Sequence, residues 1–558
     1  MKHTEKIKFG ILCNSLVFEA WEAACINHLL NHPQIELKLL VANKTIIKAK
    51  QGILQKLGQY QYRNFLFRAY KRFVLKAQSF DYISFEAQFK TIPKLNCTTI
   101  KKGKFSEYFN SEDINEIKSY QLDFMLRFGF NIIKGDILKS CKYGIWSFHH
   151  ADNDLIRGGP IGFWEIYLKR NTTAAVLQQL NSNLDEGKVL RKGYLKTVAH
   201  SYAENIDQLT EMTAIWPLQV CIDLLNQNEI IQNTPNNAEQ SKLYKYPKNW
   251  QFLYFILLLL KNKIYFHFEQ LFLSESWQIA RFEGNIDSLT HQSKIEASYI
   301  SKSRSETYNA DPFLWPNNDH KLMLFEHFSY KENIGKIAMS NEDGSHFKVI
   351  DFGIKTHLSY PFCFEHETQV YCLPEQAESN KVTLYKLNAD GQVSVFKDLL
   401  QNFASRDASL IFYDFKWWLF CTKANCFENA ALFIFYADSL YDDFKPHQNN
   451  PVKVDVQNAR PAGNLFVKEN KLYRPAQNNA KLYGHKVHIN EVTQLSKKAF
   501  SEEIVHTVLP EKFGNYKGIH HVTHQNGQTL VDLKQTKFSL YNFRYQISRK
   551  IKRILGKD

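Results

Sequence analysis

The chain has 558 residues, too many for one hydrophobic core, and 44% of them are hydrophobic and 14% aromatic, which excludes a disordered protein. A net charge of +14 favours anionic partners such as sugar nucleotides, lipid phosphates or nucleic acid. The sequence has no zinc-finger, K-homology or RNA-recognition signature, so we expect no nucleic acid partner. Nine cysteines stand singly without a Cys-x-x-Cys pair, which argues for a reducing compartment and against structural zinc.

The N-terminal part begins as a parallel α/β sheet. An apolar run from Ile7 to Leu12, helical spacing from Phe18 to Leu29 and a second run from Ile35 to Val41 predict a β-α-β opening. No Gly-x-Gly-x-x-Gly follows the first strand, so a dinucleotide site is not supported. A polar N-terminus leads into a strand, not into a secretion signal, and we expect a cytoplasmic protein.

A basic and aromatic stretch follows at residues 44–80, and residues 44–76 contain no acid. Its pattern predicts an amphipathic helix that covers the sheet. The alternative is a helix that faces a membrane or a substrate.

The next strand, from Gly144 to His149, places His149 at the carboxyl end of the sheet, the edge where open α/β sheets bind ligands. Acyl transfer to an amine needs a donor for the developing oxyanion and a base for the amine proton. His149 supplies the first and Asp185 the second in this hypothesis, with Ser147 in support. The alternative is that both residues are structural, and we interpret the neighbouring His150 and Asp152 as loop residues in solvent.

The spacing from Ser147-Phe148-His149 through Arg157-Gly158-Gly159-Pro160 to Leu184-Asp185-Glu186-Gly187 resembles the formyltransferase catalytic domain over roughly residues 5–230. The resemblance implies His149 and Asp185 as catalytic residues, Arg157 and Gly158 as substrate-binding residues, and 10-formyltetrahydrofolate as formyl donor. The chain departs from the family in two places. Ser147 stands at the family's Asn, and residues 151–156 replace its Ser-Leu-Leu-Pro loop.

A boundary is expected after this domain. Residues 226–241 are polar and rich in turn formers, and Trp250 to Leu260 contains no charge. Since a membrane-spanning helix needs ~20 residues, this short run predicts a buried bridging helix. A monotopic helix that dips into a membrane is the alternative.

The C-terminal part contains a repeat. Similar segments start at Asp311, Tyr360, Asp407, Arg460 and His520, which are 49, 47, 53 and 60 residues apart. Each segment opens a short strand, followed by a polar turn and a second apolar strand. Five such units predict an all-β five-bladed propeller. A two-sheet sandwich competes with it but does not predict the regular spacing.

This part resembles the propeller of family-43-type glycosidases. The segments 459–463 and 473–477, followed by Tyr483-Gly484, give it a closer resemblance to the propeller-like segment of glucosamine inositolphosphorylceramide transferases. Innermost propeller strands present their first residues to the axis, where we expect five substrate-binding residues to meet: Asp311, Asp407, Arg460, Arg474 and His520. Because Tyr360 stands at the second-blade position, the carboxylate trio of the glycosidases is incomplete. Two carboxylates still suit glycoside chemistry, whereas Arg and His suit an anionic sugar or phosphate.

The C-terminal tail alternates apolar residues with basic ones from Phe543 to Lys557, which predicts an amphipathic helix that lies on an anionic membrane. A solvated basic tail is the alternative. The sequence therefore divides into a formyltransferase-like α/β domain, a linker with a bridging helix, a propeller and this helix, at residues 1–235, 236–275, 276–535 and 536–558.

The sequence supports three functional hypotheses. The first is formyl or related acyl transfer to a sugar amine in surface polysaccharide or glycolipid synthesis, with a nucleotide-linked or lipid-linked amino sugar as partner. The second is a glycosyltransferase or glycoside-processing enzyme with its active site at the propeller axis. The third is a non-catalytic glycan-binding protein. In each case we expect a cytoplasmic protein, peripheral at the inner face of the membrane, and no metal.

Overall fold

The computed structural model describes residues 6–44, 62–102, 106–182, 187–228, 242–300, 306–317, 321–525, 527–540, 542–544 and 546–548. The chain forms two compact units, here called the N-terminal unit (Met1–Lys263) and the C-terminal unit (Ile264–Asp558). The boundary between them falls within the stretch 236–275 that the sequence sets apart as a linker. The finer domain limits stay a prediction.

The N-terminal unit contains fourteen described strands: β1 (Ile7–Cys13), β2 (Val17–Glu19), β3 (Ile35–Asn43), β4 (Tyr82–Ser84), β5 (Lys94–Cys97), β6 (Ile100–Lys102), β7 (Ser106–Tyr108), β8 (Phe124–Arg127), β9 (Ile132–Lys134), β10 (Ile145–His149), β11 (Ile156–Gly158), β12 (Thr172–Gln179), β13 (Lys188–Lys196) and β14 (Lys242–Tyr244). Its helices are α1 (Ala20–Leu30), α2 (Phe65–Phe73), α3 (Ser111–Ser119), α4 (Phe163–Tyr167), α5 (Tyr202–Thr213), α6 (Trp216–Asn226) and α7 (Asn249–Phe272), the last of which continues into the C-terminal unit.

Seven of these strands form one sheet in the order β13-β12-β10-β8-β1-β3-β5. The pairs from β10 to β5 are parallel, whereas β12 and β13 join antiparallel at one edge. The central strands are continuous apolar runs, as a parallel sheet covered on both faces requires, and Phe9, Phe124 and Trp146 stack across β1, β8 and β10. The predicted α/β character of this part is confirmed.

The C-terminal unit is rich in strands. Its described α-helical parts are the end of α7, the short helix α8 (Ile286–His291) and residues 540, 542–544 and 546–548. The strands are β15 (Leu273–Glu283), β16 (Ser298–Tyr299), β17 (Thr307–Leu314), β18 (Leu322–Ser329), β19 (Ile334–Asn341), β20 (Lys348–Val349), β21 (Ser359–His366), β22 (Gln369–Glu375), β23 (Lys381–Leu387), β24 (Val393–Gln401), β25 (Ser405–Tyr413), β26 (Lys416–Lys423), β27 (Ala431–Ala437), β28 (Lys445–Pro446), β29 (Lys453–Val454), β30 (Phe466–Lys468), β31 (Lys471–Asn478), β32 (Lys486–Leu495), β33 (Phe500–Val508), β34 (Val522–Gln525) and β35 (Gln528–Phe538).

These strands form five antiparallel sheets. Four of them follow the chain in order, as β17 to β20, β21 to β24, β25 to β28 with β29 beside β27, and β30 to β33. The fifth has the order β16-β15-β35-β34 and joins the first and last strands of the unit, with Leu273 opposite Phe538 and Glu283 opposite Gln528. Apolar side chains fill the space between successive sheets. The unit is rich in β-sheet, as predicted.

Helix α7 differs from the expectation for the uncharged run Trp250 to Leu260. It has 24 residues, and its apolar side chains divide between a buried side with Phe252, Phe255 and Leu258 and a side exposed to solvent. A helix forms where the sequence predicts one, but it is longer than this run and only partly buried. No described helix is long and apolar enough to cross a membrane. Most of the stretch at 44–61, and the tail beyond residue 548, lie outside the described residues.

Candidate functional site

His149 ends β10 in the middle of the N-terminal sheet and is 8% exposed. Its ring nitrogen Nε2 lies 2.9 Å from the carbonyl oxygen of Ile156. Because a carbonyl only accepts hydrogen bonds, Nε2 carries a proton and donates the hydrogen bond to Ile156. The bond fixes the plane of the imidazole at the carboxyl edge of the sheet, where sequence reasoning placed it.

Ser147 lies two residues earlier on β10 and is 1% exposed. Its Oγ accepts two hydrogen bonds from the guanidinium of Arg127, from Nε at 3.1 Å and from Nη2 at 2.9 Å. Nη1 of Arg127 donates to the carbonyl of Asn131 at 2.9 Å, which holds the guanidinium in place. A hydroxyl that accepts from a cation becomes a stronger donor through its own proton.

Sequence reasoning missed Arg127. It ends β8, the strand next to β10. Because Leu126 pairs with Trp146, the next residues, Arg127 and Ser147, lie side by side on the two strands. A charged residue that closes an otherwise buried apolar strand was the available signal. On the other side, Ser147 pairs with Gln178 of β12, and the two side chains share one face of the sheet.

Arg157 and Gly158 lie on β11, which pairs in parallel with β14. Gly158 has φ of 84°, and a Cβ at this position would collide with the carbonyl oxygen of Tyr244. The glycine is therefore required by the close approach of the two strands. The substrate-binding roles of both residues stay predictions.

Asp185 lies at residues 183–186, outside the described part, so the predicted pair with His149 is not tested. The loop that replaces the family's Ser-Leu-Leu-Pro is held by Lys192, whose Nζ contacts Asp152 at 2.6 Å and Asp154 at 2.7 Å. Within this loop Asn153 is fully buried, and neither atom of its side-chain amide has a hydrogen-bond partner among the described residues.

Two buried titratable groups flank the site. Burial, with a smaller contribution from the charge of His149, lowers the pKa of His150 to about 3, so this ring is neutral at pH 7. It packs against Phe148 and Trp21 at ring distances of 5.5 and 5.0 Å. We had interpreted His150 as a solvated loop residue, and the structure instead buries it. Glu165 in α4 is 2% exposed, and burial raises its pKa to about 8.

The shift at Glu165 predicts a pH effect. Folded Glu165 keeps its proton up to about pH 8, whereas the unfolded side chain releases it near pH 4.5. Its contribution to stability is therefore full below pH 4.5 and is lost as pH rises towards 8. We expect Glu165→Gln to gain melting temperature relative to the parent between about pH 5 and 8. Calorimetry across this range tests it, with exposed Glu86→Gln as control, and parallel curves for the two proteins contradict it.

In the C-terminal unit, three sheets share one backbone feature. Asp311, Tyr360 and Asp407 occupy equivalent places on β17, β21 and β25, with φ of 50°, 45° and 48°. In each strand the ladder register shifts around this residue. A bulge in the left-handed region, which costs energy for a non-glycine residue, therefore recurs at the spacing of the repeat.

Both carboxylate oxygens and the backbone N–H of Asp407 make hydrogen bonds. Nε of Arg460 donates to its Oδ2 at 2.5 Å and Nη2 to its Oδ1 at 3.2 Å. Gln477 Nε2 donates to Oδ2 at 2.7 Å, and the backbone N–H of Asp407 donates to Glu375 at 3.1 Å. Both partners of the ion pair are nearly buried, with Asp407 3% and Arg460 7% exposed. The cation of Arg460 is thus already neutralised by Asp407.

Asp532, His520 and Asp311 form a second group. Asp532 Oδ1 accepts from the backbone N–H of His520 and His521, and its Oδ2 accepts from the N–H of Asp311 at 3.0 Å. Nδ1 of His520 lies 2.6 Å from Oδ2 of Asp532, and Nε2 lies 3.7 Å from Oδ1 of Asp311. His520 also stacks on Trp277 at 3.9 Å.

The three side chains differ in charge. Burial raises the pKa of Asp311 to about 8, with His520 opposing the shift. Burial alone would lower the pKa of His520, but Asp532 and Asp311 raise it above its usual range. Atoms of the three residues lie within 4.8 Å of one another, a grouping that could hold a metal ion. Because both oxygens of Asp532 already accept from backbone N–H groups, we interpret the three residues as a cluster of titratable side chains and not as a metal site.

Tyr360 lies between the two groups. Its hydroxyl contacts Ser409 Oγ at 2.8 Å and accepts from the backbone N–H of Gly463 at 2.8 Å. Its ring centroid lies 5.5 Å from that of His521. Four of the five residues expected at an axis therefore lie in or beside one buried polar cluster. Of its members, sequence reasoning missed Glu375, Gln477 and Asp532, although a charged residue inside or directly after an apolar strand was a signal.

Arg474 is a correction to the expected cluster. It is fully buried, and Nε and Nη2 donate to the carboxylate of Glu502 on β33 at 2.8 and 2.6 Å. The remaining bonds go to the backbone carbonyls of Asn458 and Ala459. Its guanidinium therefore ties strands of one sheet together, because the pairing of β31 with its neighbours directs it away from Asp407 and Arg460.

Comparison with known sequences supports the resemblance of the C-terminal unit. Residues 289–533 match the family described as glucosamine inositolphosphorylceramide transferase 1, N-terminal. The glucosamine inositolphosphorylceramide transferase 1 of Oryza sativa subsp. japonica is 30% identical over 247 residues, which are 43% of this chain and 32% of that protein. The protein of the same name from Arabidopsis thaliana is 27% identical over 216 residues, 37% of this chain and 28% of that one. The chain thus spans about a third of the length of the curated relatives it matches.

Solved structures give distant likenesses. A family 117 glycoside hydrolase from Zobellia galactanivorans is 12% identical with a TM-score of 0.31, covering 49% of this chain and 92% of that one. A sugar N-formyltransferase from a Shewanella species is 11% identical with a TM-score of 0.26, covering 43% and 76%. At these scores neither likeness supports a conclusion about fold or activity.

Proposed function

We propose that the chain is a transferase that formylates, or acylates with a related group, the amino nitrogen of a sugar in polysaccharide or glycolipid synthesis. The observation that supports this is the row Arg127, Ser147 and His149 at the carboxyl edge of the parallel sheet, in which Arg127 donates to Ser147 and His149 donates to Ile156. Cationic and polarised donors in a buried setting are what a developing oxyanion requires. The row carries its donors on rigid strands, so little reorganisation is needed during reaction.

The division of work follows from the residues. Because Nε2 of His149 already donates to Ile156, the doubly protonated ring would donate from Nδ1 to the carbonyl oxygen as negative charge builds up there. The hydroxyl of Ser147, polarised by Arg127, donates a second bond to the same oxygen. Asp185 would accept the proton that the sugar amine loses when its nitrogen bonds to the formyl carbon, and would return a proton to the donor's nitrogen when the bond from that nitrogen to the formyl carbon breaks. Arg157 and Gly158 position the acceptor.

The residues present fit 10-formyltetrahydrofolate as donor. Asn153 is fully buried with no hydrogen-bond partner for either amide atom among the described residues, and Oε1 of the nearly buried Gln178 also lacks one there. Such atoms suit the hydrogen-bonding edge of a bound ring. When bound, the donor supplies the activated formyl group. Ser147, Gln178 and Asn153 would hold it, each through its side chain.

The C-terminal unit suggests the acceptor. Its sequence match is to glucosamine inositolphosphorylceramide transferases, whose name describes a sugar on a lipid carrier, so we propose a lipid-linked or nucleotide-linked amino sugar as partner. The five antiparallel sheets support a five-bladed propeller. In it, the pairing of β15 with β35 would close the ring of blades, because these are the first and last strands of the unit. We place the protein in the cytoplasm, where its nine free cysteines stay reduced.

One observation favours a second candidate, glycoside or glycosyl chemistry in the C-terminal unit. Asp311, with a pKa of about 8, is a neutral acid at pH 7 beside a histidine held by Asp532. A carboxylic acid that keeps its proton at pH 7 suits general acid catalysis. Asp407 is less suited, because Arg460 and Gln477 occupy its oxygens.

The two candidates separate in one experiment. The purified chain is offered 10-formyltetrahydrofolate with a panel of nucleotide-linked and lipid-linked amino sugars, and the products are read by mass spectrometry. Formamide formation that His149→Ala abolishes and Asp311→Asn spares supports the proposal. Cleavage or transfer of a sugar that shows the opposite dependence favours the C-terminal unit. If the parent chain forms no product, and neither His149→Ala nor Asp311→Asn changes the surface glycans of cells, the result favours a glycan-binding protein.

Ser147→Ala tests whether the hydroxyl of Ser147 donates a hydrogen bond to the oxyanion. The substitution removes one donor to the oxyanion while Arg127 remains in place. We expect kcat for formamide formation to fall about fivefold to tenfold, the value of a hydrogen bond of about 1 kcal/mol. Steady-state kinetics measure the effect, with Ser201→Ala at the start of α5 as a control away from the site. A rate equal to that of the parent contradicts the role of Ser147.

A further inference from the structure

Helix α7 carries an apolar face that the N-terminal unit leaves in solvent. Trp250, Leu253, Leu257 and Leu260 are 59%, 55%, 64% and 56% exposed. They recur three and four residues apart and so lie along one side of the helix. Large apolar side chains scattered singly on a surface are ordinary, but a continuous row of this kind marks an interaction site.

The opposite side of α7 is already occupied. Phe252 packs on Phe67 of α2 at 5.8 Å, and Phe255 stacks on Phe163 of α4 at 4.2 Å. Burying the exposed row by rolling the helix would take these rings out of the core. The exposed face is therefore a fixed feature of the folded unit.

Helix α2 adds a second exposed apolar segment beside it. Phe65 and Phe73 are 48% and 74% exposed, and Tyr62 just before the helix is 70% exposed. The side chain of Asn249, the first residue of α7, joins the two helices. It accepts a hydrogen bond from the N–H of Leu66 in α2 at 3.1 Å and donates one to the carbonyl of Tyr62, just before α2, at 2.7 Å. The two helices thus form one surface, here called the α2–α7 surface.

The charge of this surface has one sign. The segments 62–76 and 242–263 contain no acidic residue. They contain ten cationic residues: Arg63, Arg68, Lys71, Arg72, Lys76, Lys242, Lys245, Lys248, Lys261 and Lys263. Exposed apolar side chains among cations are the composition of helices that lie in the interface of an anionic bilayer.

We propose that the α2–α7 surface docks the protein on a membrane that contains anionic phospholipids. The aromatic and leucine side chains enter the interfacial region, and the lysines and arginines contact lipid phosphates. A second copy of the chain is a poorer occupant, because it would bring ten like charges against ten others. The inference goes beyond the proposed function, since it does not depend on the chemistry at His149.

Co-sedimentation of the full chain with vesicles tests it. We expect binding to vesicles of phosphatidylcholine with phosphatidylglycerol, weak binding to phosphatidylcholine alone, and loss of binding at high salt. Leu253→Asp with Leu257→Asp should lower the bound fraction about tenfold, because the acids oppose both insertion and the lipid charge. Lys71→Glu with Arg72→Glu should reduce binding and weaken its salt dependence.

The controls separate this surface from other sites. Phe415→Asp changes a side chain that is 84% exposed in the C-terminal unit and should bind as the parent does. Charge reversal of Lys552 and Arg553 in the tail should leave most of the binding. The proposal is overturned if the Leu253 and Leu257 variant binds normally, if the tail variant alone abolishes binding, or if light scattering shows a dimer that this variant dissociates without effect on vesicles.

Discussion

Arg460→Met is expected to lower the free energy of unfolding of the C-terminal unit by about 3–5 kcal/mol, the cost of leaving a buried charge without its partner. Asp407 would keep the bond from Gln477 and lose both bonds from the guanidinium. Methionine roughly preserves the length of the arginine stem, so that the loss reports the charge more than a cavity. Urea unfolding, with hydrogen exchange of peptides from β25 and β31 to assign the unit, measures the effect.

The matched control is Lys416→Met. Its partner Asp438 is 66% exposed, and an exposed pair of this kind contributes about 0.2–1 kcal/mol. Arg460→Met combined with Asp407→Leu should recover part of the loss, since neither member of this pair then leaves a buried charge without its partner. Equal effects of Arg460→Met and Lys416→Met would show that the buried pair does not stabilise the unit.

His149→Ala is expected to reduce formamide formation about 10²- to 10³-fold, because it removes the main donor to the oxyanion. The fold should survive, because β10 is held by its pairing with β8 and β12 and does not depend on the bond from the imidazole to the carbonyl of Ile156. Rates are measured on protein whose melting temperature has been checked.

His150→Phe is the matched control for this variant. The neighbouring ring is neutral and packs between Phe148 and Trp21, so phenylalanine should preserve the packing and keep most of the rate. If His150→Phe abolishes the reaction while His149→Ala retains it, the acid-base assignment at this edge is wrong.

The sequence predicts the position of His149 because a buried parallel strand is a continuous apolar run whose end can be located from one segment. It does not predict Arg127. That contact depends on which strand lies beside β10, and sheet order is a property of the whole chain. The bond between Ser147 and Arg127 follows from the adjacency of β8 and β10, which lie about twenty residues apart.

The repeat spacing predicts that Asp311 and Asp407 are equivalent, because equivalent positions in repeated sheets adopt the same backbone conformation. It could not predict their partners. Asp532 lies on β35 and Glu375 on β22, each in a different sheet from its partner, so their bonds to the backbone N–H of Asp311 and Asp407 depend on how successive sheets meet. Arg474 was assigned to the same cluster from spacing alone, and the register of β31 instead pairs it with Glu502.

The pairing of Leu273 with Phe538 has a consequence for synthesis. Strand β15 leaves the ribosome about 250 residues before β35, the strand that pairs with it along its whole length. Until then β15 presents an unpaired edge with an apolar face to the cell. The last strand must arrive before the first sheet can form, which makes this pairing a slow, long-range step. Ribosome-bound chains that stop before β35 should therefore depend on chaperones, whereas the N-terminal unit, complete much earlier, should not.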